Sequence, residues 1–178
     1  MYQAVYNSPV GELTLASDGT NLTGLWLKGQ KYFTCTLTEE WEKQNNLAIF
    51  LQVKEWLDRY FSGKRPSIAE IPLAPSGGEF RHTVWKILCE IPYGEVTTYG
   101  AIGKEVAKLT GKKTMSAQAV GGAVAHNPVS IIIPCHRVVG TNGSLTGYAG
   151  GIDKKIRLLE LEGVDLSGYF VPAKGTAL

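Results

Sequence analysis

Val5, Leu13, Leu15, Leu22, Leu25 and Leu27 recur among polar residues in near-alternation, the two-residue period of strands with one buried face. Ser8-Pro9, Asp18-Gly19 and Lys28-Gly29 punctuate them, so the first third reads as a meander of short strands. Over residues 47–61 the period changes. Phe50, Val53, Leu57 and Tyr60 fall at three- and four-residue steps, which predicts an amphipathic helix stopped at Gly63. Residues 71–73 read as a further short strand. Two prolines, a serine and two glycines within residues 72–78 mark a linker, which divides an N-terminal α/β domain (1–75) from a C-terminal domain (76–178).

Beyond the linker the pattern is mainly helical. Phe80, Val84, Ile87, Leu88 and Ile91 share one face, ended by Pro92. Thr97-Thr98 caps a second helix with Ile102, Val106 and Leu109 inward, ending near Gly111. Thr114 or Ser116 caps a third, with Ala117, Val120 and Val124 inward, ending before Pro128. Such a pair suggests a helix-turn-helix, although many small helical hairpins share the pattern. Ile131-Ile132-Ile133 reads as a buried strand, Asn142-Gly143 as a tight hairpin turn, and Gly147-Tyr148-Ala149-Gly150-Gly151 as a flexible loop. Asp153 is placed to cap a last helix carrying Ile152, Ile156 and Leu159, with Gly163 after its end.

Composition narrows the class. The chain has 178 residues, 44% hydrophobic and 19% charged, enough to bury a core, which excludes a disordered chain, a fibre and a coiled coil. No apolar run approaches the roughly 20 residues that cross a bilayer. Met1-Tyr2-Gln3-Ala4 has neither the basic stretch nor the apolar core of a secretory signal, so a cytoplasmic protein is expected. Residues 1–75 hold 7 basic and 8 acidic side chains, and residues 76–178 hold 11 and 8, a net of +3. That mild excess suits a polyanion without identifying one. Three cysteines at wide spacing make no disulfide framework, and with three histidines they offer no zinc-type ligand spacing.

Cys135 carries the candidate chemistry. It follows an apolar run and a proline and adjoins His136 and Arg137. A free thiol is only about 3% thiolate at neutral pH, and ionising it costs roughly 2 kcal/mol, which nearby cations or hydrogen bonds can supply. The competing reading is a small buried hydrophobe, which describes Cys35 and Cys89 better.

Ile133-Pro134-Cys135-His136-Arg137-Val138-Val139 resembles the active-site signature of the O6-alkylguanine-DNA alkyltransferases, the methylated-DNA–protein-cysteine methyltransferases. Val84-Trp85, Ile91-Pro92-Tyr93-Gly94-Glu95-Val96 and Thr98-Tyr99 resemble the family's approach to its helix-turn-helix. Ala119-Val120-Gly121-Gly122-Ala123 resembles its recognition helix, Asn127-Pro128 its hinge, Gly147 to Gly151 its active-site loop and Leu161-Glu162-Gly163 its closing helix. The ordered set is far more specific than any block alone.

The resemblance implies an RNase H-like N-terminal domain and a winged-helix-like C-terminal one. It implies stoichiometric transfer of an alkyl group from O6 of guanine in duplex DNA to Cys135, with O4 of thymine as a further possibility. His136 would take the thiol proton through a water, and Glu162 would orient His136. Tyr99 would donate toward guanine N3, and Asn127 would brace the site. The backbone of Cys135, Val138, Tyr148 and Ala149 would read the base. Gln118, Ala119, Gly121, Gly122, Ala123 and Arg137 would meet DNA in the minor groove. No cofactor, no metal and a monomer are expected.

Two departures stand out. Gln118 occupies the position where most relatives carry an intercalating arginine, and the turn through Lys112 and Lys113 is longer, its lysines reading either as phosphate contacts or as solvated charges. Three other readings compete. A non-enzymatic lesion binder would lack the cysteine. A cysteine hydrolase would need an oxyanion hole. A winged-helix regulator leaves Pro134-Cys135-His136-Arg137 unexplained.

Overall fold

The computed structural model describes residues 1–33 and 41–173, and Cys35 lies outside them. The chain forms two units: Met1–Ser76 with Pro128–Ile132, and Gly77–Asn127 with Ile133–Leu178.

In the first unit β1 (Tyr2–Ser8), β2 (Gly11–Ser17) and β3 (Leu22–Leu27) form the expected antiparallel meander, and the short β4 (Glu42–Lys43) adds parallel to β1. The sheet order is β3-β2-β1-β4. Leu13, Leu15, Leu25 and Leu27 lie on the core side, whereas Val5 is 47% exposed because it alternates with buried Ala4. Helix α1 (Ala48–Phe61) has no side-chain N-cap, since Leu47 stands there. A missing cap costs about 1 kcal/mol, and burying one large apolar side chain returns ~2 kcal/mol, so burial of Ile49, Phe50, Val53, Trp56, Leu57 and Tyr60 holds the helix.

The expected strand at residues 71–73 is reduced to one bridge, Leu73 against Leu22, after a turn of 3-10 helix at Ile68–Glu70. The expected strand at Ile131-Ile132-Ile133 does not form. The Ile132 amide bonds the Ser130 carbonyl at 2.9 Å, and Ile131 takes φ +72 in a buried turn. An apolar run announces burial on every side, and a turn satisfies that as well as a strand. Residues 128–132, well beyond the linker, return to the first unit: backbone bonds from Leu25 to Pro128 and from Ser130 to Leu25, both 2.8 Å, pair this segment with β3.

The second unit holds α2 (Glu79–Cys89), β5 (Thr97–Thr98), α3 (Tyr99–Leu109), α4 (Ala117–Ala125), β6 (Val138–Val139) and α5 (Ile152–Leu161). Thr98 caps α3 by accepting from the Ala101 amide at 3.1 Å, and Ser116 caps α4 by accepting from Ala119 at 3.4 Å. Helix α3 buries Ile102, Gly103, Val106 and Ala107, while its last residue, Leu109, is 60% exposed; Ala117, at the start of α4, is exposed as well. The turn at Asn142-Gly143 closes between Gly140 and Ser144, but no hairpin follows. Ser144 bridges Phe170, and β6 runs parallel to β5. Gly151, at φ +99, occupies the N-cap of α5, and Asp153 sits in its first turn, where a carboxylate favours the helix dipole without capping. Among the described residues no helix is long and apolar enough to cross a membrane.

Candidate active site

Cys135, His136 and Arg137 form a single turn of 3-10 helix. At three residues per turn consecutive side chains diverge by a third of a circle, so each finds a different partner. All three are buried, at 5%, 0% and 6% exposure. Asn127, just beyond α4, donates from its amide nitrogen to the Ile133 carbonyl at 2.8 Å and to Cys135 Sγ at 3.1 Å. Asn127 thus touches the thiol directly.

Glu162 follows α5 and is 3% exposed. His136 Nε2 donates to its Oε1 at 2.7 Å, Arg137 Nε to Oε2 at 2.8 Å, Arg137 Nη2 to Oε1 at 3.0 Å and the Gly94 amide to Oε2 at 3.2 Å. Burial pushes the carboxyl upward, but hydrogen bonds and charges from His136 and Arg137 outweigh it and hold it well below the usual carboxylate range. Burial pushes His136 down against the pull of Glu162, which leaves a neutral imidazole at pH 7. Gly94 adopts φ +82, and a Cβ there would lie 2.9 Å from the Glu162 carbonyl, so only glycine gives the loop this approach.

Arg137 was expected to meet DNA. Its guanidinium is instead turned inward, forked onto Glu162, donating to the Ile91 carbonyl at 2.6 Å and lying 5.8 Å from the Tyr93 ring centroid. The sequence alone could not tell a surface arginine from an internal counter-ion.

Lys155 is the residue that sequence reasoning missed. It is fully buried on α5, and its ammonium donates to the Val138 carbonyl at 2.5 Å and the Thr146 carbonyl at 2.7 Å. Burial lowers its pKa to about 8, and the charge at Cys135 acts the other way. A signal existed: Ile152, Lys155, Leu159 and Glu162 recur at helical spacing, placing two charged residues on an apolar face.

Tyr99 opens α3 and donates to the Thr146 carbonyl at 3.1 Å. Burial, then the negative charge at Cys135, raise its hydroxyl above the usual tyrosine value, so it stays a proton donor. Gly147 sits beside it at φ +75, and a Cβ there would collide with the hydroxyl. Lys155 and Tyr99 thus hold the strand end at Val138 and the loop at Thr146 and Gly147. Of the expected base-reading positions, Val138 is buried with its carbonyl on Lys155. Tyr148 lies edge-on to His136, with ring centroids 6.4 Å apart, and its carbonyl accepts from Gly151. Ala149 is half-buried in the same loop.

On α4, Gln118, Ala119 and Gly122 are exposed and Gly121 is half-buried. Ala123 is 3% exposed, and its carbonyl accepts from Trp85 Nε1 at 2.9 Å. It faces the interior, not the DNA side expected of it, because it shares the inward stripe of Val120 and Val124. Burial pushes the thiol of Cys89, the other described cysteine, up to about 11. Among the described residues no three His, Cys, Asp or Glu side chains gather as a metal site.

Residues 1–75 match the family model of the ribonuclease-like domain of 6-O-methylguanine DNA methyltransferase, and residues 79–164 match the model of its DNA binding domain. Methylated-DNA–protein-cysteine methyltransferases from Methanosarcina barkeri and Haemophilus influenzae are 45% and 40% identical over 163 and 162 residues. Both alignments cover 91% of this chain, and they cover 97% and 86% of the two relatives. The crystal structure of Mycobacterium tuberculosis OGT in complex with DNA superposes with a TM-score of 0.81 at 39% identity, covering 92% of this chain and 93% of that one. The architecture is therefore a ribonuclease-like α/β domain followed by a helical DNA-binding domain, and the chain belongs to the 6-O-methylguanine DNA methyltransferase (methylated-DNA–protein-cysteine methyltransferase) family.

Proposed function

We propose that this protein repairs duplex DNA by moving an alkyl group from O6 of guanine to Cys135, once per molecule, as a cytoplasmic monomer without a cofactor. The observation that carries the reading is the buried relay from Asn127 to Cys135 and from His136 to Glu162. Glu162 engages Nε2 of His136, so the thiol proton passes through a water to Nδ1. Asn127 donates to the sulfur and favours the thiolate. The sulfur attacks the alkyl carbon, the S–C bond forms and the C–O6 bond breaks. The electron pair stays on guanine, where Tyr99 donates toward N3 as charge develops. In sum, the alkyl group ends on sulfur, guanine takes its proton from Tyr99, and solvent carries the proton held by His136 back to the tyrosine. Because Cys135 is buried, the base must leave the helical stack to reach it.

The test is to mix the protein with duplex DNA carrying one O6-methylguanine and to record intact and peptide mass. One added methylene (about 14 Da) on Cys135, with no turnover beyond one equivalent, is the expected result. Lesion binding without a mass change would overturn transfer.

Gln118 lies on the exposed side of α4, where arginine would add charge and reach. Gln118→Arg is expected to tighten duplex binding and quicken transfer from duplex DNA several-fold, as read by filter binding and quenched-flow mass analysis. Lys155 supplies a second prediction. The parent transfer rate should climb with thiol ionisation and then bend downward above about pH 8 as the ammonium beside the loop loses its charge. Lys155→Met should be slower by at least about tenfold and lack that bend. Unfolding would not account for the bend. With the folded pKa below the unfolded value near 10.4, the unfolded chain binds more protons between about 8 and 10.4, and this group's contribution to stability rises with pH there.

A further inference from the structure

The turn between α3 and α4 gathers cations. Lys104 and Lys108, four residues apart on α3, share one side of the helix, and Lys112 and Lys113 follow in the turn. All four are exposed and line a cleft of about 550 Å³ with Gly100 and Met115. The turn is held in place. Gly111 takes φ +67, its amide donates to the Lys108 carbonyl at 3.4 Å, and the Lys112 amide reaches back to Ala107 at 2.9 Å, the two bonds of a Schellman cap. The Thr110 hydroxyl ties in as well, donating to Val106 at 2.8 Å. Among the described residues the one ion pair made by these lysines is Lys108 with Glu105, at 3.7 Å. Four cations against one carboxylate equal the whole net charge of residues 76–178.

We infer that this cleft is a second DNA contact, a site for the sugar–phosphate backbone of the duplex flanking the lesion, separate from the exposed side of α4. It deepens the reading above and rests on it for the identity of the polyanion. Two features favour a long backbone over a small anion. Every charged group lining the cleft is an exposed lysine, a point charge on a flexible stem, which suits diffuse phosphate neutralisation and not the enclosed recognition of one ion. The turn also leads directly into Ser116 and the exposed Gln118 and Ala119, so a polymer lying on α4 has the cleft in continuation.

Salt dependence tests this on undamaged duplex DNA. Each neutralised phosphate contributes about 0.9 to the slope of log affinity against log salt. Lys112→Gln with Lys113→Gln should lower the slope by about 2, so that from about 50 to about 200 mM salt the parent loses about tenfold more affinity than the variant. Lys104→Gln with Lys108→Gln should act in the same direction. A control pair outside the cleft, Lys64→Gln with Lys86→Gln, should change the slope by less than about 0.5. An unchanged slope in the cleft variants, with melting temperatures like the parent's, would overturn the inference, and so would an equal fall in the control. Transfer to the parent protein from a free O6-alkylguanine base reports on the repair reading alone, so the two can fail independently.

Discussion

Replacing Cys135 with alanine is expected to reduce alkyl uptake to nothing measurable while the protein stays folded. The displacement needs a polarisable, ionisable sulfur in line with the alkyl carbon, and among the described residues no neighbour offers one. Cys89 cannot stand in. With its thiol pushed up to about 11, roughly one molecule in ten thousand is thiolate at pH 7, and the side chain is largely enclosed. The structural cost is small, because alanine removes one sulfur atom and Asn127 keeps its 2.8 Å bond to the Ile133 carbonyl. Intact mass after exposure to O6-methylguanine duplex is the measurement. A methyl group appearing on the alanine variant at the parent's stoichiometry would remove Cys135 from the chemistry.

Glu162→Leu should be the most destabilising exchange in the second unit. It strands the Arg137 guanidinium in the interior and strips His136 and the Gly94 amide of their acceptor. Removing one partner of a buried pair costs about 3–5 kcal/mol, which for a chain of this size lowers Tm by roughly 6–20 °C. Exchanging both partners, Glu162→Leu with Arg137→Met, should recover more than half of that stability, since an apolar pair owes no desolvation penalty, yet should not recover transfer. Urea midpoints and transfer rates read separately on the three variants decide it. A single variant as stable as the parent would show that the pair is not holding the site. The parent should also lose stability with acid in two stages. His136 has its folded pKa depressed, so the unfolded chain takes up more protons as pH falls below about 6.5. Glu162 is depressed in the same sense, and its contribution is complete above the ordinary glutamate value near 4.3 and is lost as pH falls below it.

The strand meander, the helix periods and the caps at Thr98 and Ser116 were legible because local pattern and tertiary burial agree there. Cys135, His136, Glu162, Tyr99 and Asn127 stand out in the sequence only as an ordered set, through family resemblance; in the fold Asn127 bonds Cys135 and His136 bonds Glu162. Misreadings arose where long-range partners decide. Ile131 to Ile133 looked like a strand because hydrophobicity reports burial and not backbone path. Arg137 looked like a DNA contact because its partner lies 25 residues away in sequence. Lys155 escaped notice because lysine is normally solvated, and only its place on an apolar helical face betrayed it.

The bond from Trp85 to the Ala123 carbonyl has a spectroscopic consequence. The other three tryptophans, Trp26, Trp41 and Trp56, all belong to residues 1–76, so Trp85 is the single indole of the DNA-binding domain, and its N–H rests on the helix that carries Gln118. In a background where those three are phenylalanine, its emission maximum becomes an internal optical gauge of how firmly α4 is seated. That gauge works without attaching a dye, which matters for a protein whose function uses up a thiol, because every cysteine-directed label would compete with the very alkyl group whose arrival is to be watched.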